Sequence, residues 1–107
     1  MGASGDNAGA VSETRQAVRL VPSNQYYHNQ LGVFLYRQGD HAGAEAEYRE
    51  AIRLAPKYAM AHANLGAVLL EDHNLTEAVK EIYTAYQLDP KNPEIVALYK
   101  KYTGGIF

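Results

Sequence analysis

Four histidines, His28, His41, His62 and His73, are the side chains best suited to chemistry in this chain. An imidazole can ligate a metal or carry a proton near neutral pH. A structural zinc site, however, wants four ligands converging as a closed set, and no cysteine is present to complete one. The carboxylate neighbours Glu71–Asp72 and Glu45–Glu47 sit within charged surface stretches. No glycine-rich phosphate loop occurs, and no Ser, His and Asp set has a reason to converge. The residues therefore predict a non-enzymatic chain with no catalytic residue, no metal and no cofactor.

Composition narrows the partners. The 107 residues carry 10 basic and 12 acidic side chains, a net charge of −2 and 47% hydrophobic residues. A nucleic-acid surface needs clustered Lys and Arg, whereas here bases and acids interleave, as in "EAEYREAIR", a pattern of i,i+4 pairs on a solvated helix face. No nucleic acid is expected as a partner. No apolar run approaches a membrane span, so no membrane partner is expected, and no compartment is named by the sequence. The opening "MGASGDN" lacks signal-peptide character. Residues 1–7 are expected to be a flexible end or a vector-derived scar.

Repetition supplies the elements that must position these side chains. Residues 5–22 and 39–56 agree at 11 of 18 positions with an offset of 34. Pro22, Pro56 and Pro90 keep that spacing, as do Leu20, Leu54 and Leu88, and Ala17, Ala51 and Ala85. Gly32 pairs with Gly66, Leu31 with Leu65, Ala44 with Ala78 and His28 with His62. Tyr27, Leu31, Phe34 and Leu35 fall at helical spacing, as do Ala44, Tyr48, Ala51 and Ile52. Asp40 and Asn92 suit N-caps, Asn74 with Glu77 resembles a capping box, and Gly39 suits a left-handed helix end. Helices are predicted over 8–20, 24–38, 41–54, 58–71, 75–88 and 92–103. Gly32 facing Ala44, and Gly66 facing Ala78, would let paired helices approach closely.

These residues make the chain resemble the tetratricopeptide repeat family: "LG" at 31–32 and 65–66, large Tyr48 and Ile82, alanines 44, 51, 78 and 85, and "L-x-P" at 54–56 and 88–90. The resemblance covers about residues 5–103. It implies an all-α, right-handed superhelix of antiparallel helical hairpins, about six helices, whose first helices line a concave groove. Within it, 8–22 is the second helix of an incomplete repeat, 23–56 and 57–90 are full repeats, 91–103 is a capping helix and 104–107 a tail. The related RNA-binding pentatricopeptide arrays are basic and have a longer period. His28 and His62 stand where the family places a core aromatic, so each is expected to be a packed imidazole with one hydrogen bond. His73 replaces the turn glycine, at a cost of about 1 kcal/mol in a left-handed conformation, which predicts a turn that is irregular or borrows Asn74.

The resemblance makes the groove the functional candidate. In repeat phase its lining is Tyr26, Asn29, Gln30, Val33, Tyr36 and Arg37, then Met60, Ala63, Asn64, Ala67, Leu70 and Glu71, then Glu94, Ala97, Leu98 and Lys101. Aromatic, aliphatic and amide groups in this mixture suit a protein or peptide partner. Family members that clamp an EEVD-type carboxylate use Lys, Asn, Asn, Lys and Arg. The matching places here hold Asn29, Val33, Asn64, Glu94 and Leu98, so no such clamp is expected. The second reading is a self-assembling scaffold. Ala10, Val11, Ala17 and Val18 would form an unsheltered strip on the first helix and join copies as a homo-oligomer, or would meet further repeats of a longer protein. Lys100, at the place of Gly32 and Gly66, would stop the array at the other end.

Overall fold

The computed structural model describes residues 3–103, with side chains from Ala8 onward. Six helices follow one another: α1 (Ala3–Leu20), α2 (Gln25–Arg37), α3 (His41–Leu54), α4 (Ala59–Glu71), α5 (Leu75–Leu88) and α6 (Pro93–Thr103). Among the described residues there is no strand, and no helix is long and apolar enough to cross a membrane. The helix α1 begins at Ala3, five residues before the expected start at 8, so much of the expected flexible end is helical. The tail expected at 104–107 lies outside the described residues.

Local chemistry sets the boundaries. Asn24 Oδ1 accepts from the Tyr27 amide at 3.1 Å, and Asp40 Oδ1 from the Gly43 amide at 2.9 Å. Asn92 Oδ1 accepts from the amides of Glu94 and Ile95. Each satisfies a backbone N–H that the first helical turn leaves unpaired. Asn74 behaves differently: its side chain caps no amide, and its Nδ2 instead donates to Glu77 Oε1 at 3.3 Å.

The two interhelical turns of the hairpins close alike. Gly39 has φ 86° and His73 has φ 62°. The next amide, of Asp40 or Asn74, donates 2.9 Å back to Leu35 O or Leu69 O. The turn at His73 is therefore regular, contrary to expectation. The helix-closing hydrogen bond holds the imidazole-bearing residue in the left-handed region despite its Cβ.

The chain forms two compact units, one up to Pro56 and one from Lys57. In the first, α1 packs on α2 and α2 on α3; in the second, α4 packs on α5, and α6 on both. A Cβ at Gly32 would stand 2.5 Å from Tyr48 Cε1, and one at Gly66 2.7 Å from Ile82 Cγ1. The glycines thus make room for a large side chain of the partner helix, while Ala44, Ala51, Ala78 and Ala85 are wholly buried. Val11, Leu31, Leu35 and Tyr48 are buried in the first unit. Ala63, Ala85 and Ile95 form a buried cluster in the second, flanked by Met60, Tyr86 and Leu98.

Candidate functional site

Helical phase divides α4 into two kinds of surface. Ala61, His62, Leu65, Gly66, Val68 and Leu69 are buried, and so is Ala63, which packs with Ala85 and Ile95 in the midst of the other side. Met60, Asn64, Ala67 and Leu70 recur at intervals of four, three and three residues, and so share one side. All four remain partly accessible. Helix α6 lies against α4. The two are tied where Asn92 Nδ2 donates to Met60 Sδ at 3.6 Å, a weak bond that holds a flexible thioether in place. Leu98 is half-buried beside the Ala63–Ala85–Ile95 cluster. Lys101 is exposed, with its ammonium 5.3 Å from the Tyr102 ring centroid. Within the second unit, the predicted residues Met60, Asn64, Ala67 and Leu70 therefore come together on one helix, and Lys101 extends from the neighbouring one.

Helix α2 places its candidates less uniformly. Tyr26 is 60% exposed, and Gln30 and Arg37 are also exposed. Val33 and Tyr36 are half-buried. Tyr36 meets His41 edge-on, with ring centroids 5.1 Å apart, and the Arg37 guanidinium lies 5.6 Å from the Phe34 centroid. These contacts restrict two otherwise mobile side chains. Burial pushes the Tyr48 hydroxyl up to about 12, and the positive charge of Arg37 offsets this only in part. Asn29 is only 8% exposed, because its place on the helix turns it inward. It is the least accessible of the α2 candidates.

The histidines also depart from expectation. His28 Nδ1 lies 2.8 Å from Glu47 Oε1, and its Nε2 lies 2.7 Å from the Pro22 carbonyl oxygen. The expected single hydrogen bond is thus two. His62 Nδ1 repeats the first contact with Glu81 Oε1 at 2.7 Å. Each imidazole bridges the two helices of its hairpin and is buried. Glu47 and Glu81 stand 34 residues apart, like the histidines, a signal the repeat already contained. Among the described residues, no three His, Asp or Glu side chains group as they would around a metal.

The self-association candidates are partly covered. Val11 is only 7% exposed, on a helix that packs against α2. Ala10, Ala17 and Val18 are half-buried. Leu20, at 74% exposure, is the large apolar side chain that α1 presents most openly.

Comparison with known proteins matches this geometry to a repeat family. A tetratricopeptide repeat family model matches residues 2–59 and again residues 42–93. Among the solved structures, the chain is similar to one titled "First TPR of Spaghetti (RPAP3) bound to HSP90 peptide SRMEEVD". The two share 23% identity and a TM-score of 0.85, over 94% of this chain and 80% of that one. The comparison with curated proteins returns no match.

Proposed function

This chain belongs to the tetratricopeptide repeat family, and we propose on that footing that it is a non-catalytic module that binds a peptide or partner protein on the first helices of its hairpins. The binding faces would be Tyr26, Gln30, Val33, Tyr36 and Arg37 on α2, and Met60, Asn64, Ala67 and Leu70 on α4 with Lys101 on α6. The observation that carries this reading is the split character of α4. Its packing side is sealed, while a second side, with a thioether, an amide and an isobutyl group, stays accessible. Such a face offers apolar contact plus an amide that can pair with an extended backbone. A similar repeat domain is titled as bound to an HSP90 peptide, which supports a peptide as the class of ligand.

The ligand's chemistry is a separate matter. Of the five places that would clamp an acidic C-terminus, Asn64 alone carries the expected residue. Glu94 is exposed and would repel a carboxylate. We therefore infer a partner recognised by apolar and amide contacts rather than by its terminal charge.

Selection of peptides from a random library, followed by titration against variants, tests the reading. Leu70→Arg and Asn64→Ala should each weaken the selected peptides by about tenfold or more, with helical circular dichroism unchanged. Peptides that bind both variants as they bind the wild type would overturn it.

A further inference from the structure

The second unit carries an apolar face that the matching helix of the first unit lacks. Leu75, Val79 and Tyr83 follow one another at four-residue spacing on α5, and so share one side of it. They are 58%, 38% and 44% exposed. Val79 and Tyr83, with Thr76 and Lys80 of α5 and Thr103 of α6, line an open cavity of about 450 Å³. Its wall is pre-set: the Tyr83 ring stacks on the buried Tyr99 of α6, centroids 6.4 Å apart, and Tyr99 stacks in turn on Tyr86 at 4.0 Å.

The internal repeat shows what this face would be if it were only solvated surface. At an offset of 34 residues, α3 presents His41, Ala42, Glu45, Ala46 and Arg49. There Glu45 and Arg49 form an ion pair at 3.0 Å. The packing alanines are kept between the two helices, at 44 and 78 and at 51 and 85. On this outer side, however, the ion pair has become Val79 and Tyr83, and Ala46 has become Lys80. Grouped apolar exposure of this kind marks an interaction surface.

Charge specifies the partner. Lys80 is exposed at the cavity, and no carboxylate lines it among the described residues. The acids of α5 are directed elsewhere, Glu81 to His62 and Glu77 to Asn74. Glu94 stands in the first turn of α6, at the other end of that helix from Thr103. We propose that the α5–α6 groove is a second docking surface, separate from the α4 face, that takes an amphipathic helix of a partner protein bearing a carboxylate beside its apolar stripe. The stripe from residue 75 to 83 extends about 12 Å. That length suits two turns of a docked helix with anchors at i, i+4 and i+7, and Lys80 would meet the flanking carboxylate.

The chain contains no tryptophan, so a synthetic helical peptide with one tryptophan reports binding by its own fluorescence. One probe carries leucines at i, i+4 and i+7 with glutamates flanking the stripe; the other replaces those glutamates by lysines. The glutamate probe should bind saturably and the lysine probe about tenfold more weakly or worse. The double variant Val79→Glu with Tyr83→Arg installs the pair that α3 already carries, so the helix should persist while binding falls by about tenfold or more. Lys80→Glu should reverse the preference between probes, and Leu70→Arg should leave it unchanged. The proposal is overturned if neither probe binds, if both bind alike, or if the double variant binds as the wild type does. It also fails if light scattering without peptide shows a second copy occupying the face.

Discussion

His28 and Glu47 join α2 to α3 through an Nδ1–Oε1 contact of 2.8 Å, while the other ring nitrogen rests on the Pro22 carbonyl oxygen at 2.7 Å. Neither acceptor has a proton to give, so the ring satisfies both only as an imidazolium. Burial alone would lower the pKa of His28. The hydrogen bonds to Glu47 and Pro22, with the negative charges of Glu47 and Glu50, outweigh it and hold the value above 6.5. A raised folded-state value means that the stabilisation is complete below the unfolded value and declines as pH rises through the folded one. The denaturation midpoint should therefore be higher near pH ~6 than near pH ~8.5. Glu47→Gln should flatten that dependence; an unchanged slope in the variant would contradict the assignment.

Truncating either carboxylate should be costly at any pH. Glu47→Ala and Glu81→Ala each strand a buried imidazole nitrogen, at about 1–3 kcal/mol. Denaturant unfolding of the two variants measures this. Losses below about 0.5 kcal/mol would mean that water replaces the carboxylate.

Gly32→Ala sets two effects against each other. Alanine favours the helix by about 1 kcal/mol, but its Cβ would stand 2.5 Å from the Tyr48 ring. Overpacking of this kind typically costs about 1–3 kcal/mol, so a net loss is expected. Tyr48→Leu in the same chain should recover part of it, seen as non-additivity in a double-mutant cycle.

His73→Gly should stabilise the chain, since φ is 62° at that residue and glycine removes about 1 kcal/mol of steric cost. A rise in Tm of about 4 °C is expected. Gly39→Ala, at φ 86°, should move Tm in the opposite direction.

Two solution measurements bear on the partner reading. A peptide ending in EEVD should give no saturable binding in calorimetry; tight, salt-sensitive binding would show that Glu94 does not exclude it. Light scattering across a concentration series should show a monomer, because Val11 is enclosed and the rest of its strip is half-buried. A concentration-dependent dimer weakened by Leu20→Lys would favour the scaffold reading.

By itself, the sequence determined the all-α class, five of six helices to within a residue at each end, and the small residues where helices touch. Caps, turn glycines and helical phase act over a few residues, and the 34-residue period aligns one copy with the next. The start of α1 was less legible, because between its alanines "ASGDNAG" holds Ser, Gly, Asp and Asn, weak helix formers whose helicity is set by the helix they extend. Only the tertiary structure decided which polar atoms face one another. His28 has one acceptor on the next helix and another in the preceding turn, and no local pattern reports where either will lie. The same holds for Asn29 and Val11, enclosed by their surroundings, and for Val79 and Tyr83, left open. Exposure depends on which neighbouring helix arrives, and at what angle, so a helix's apolar stripe can be read from its own residues while the side that stays free cannot.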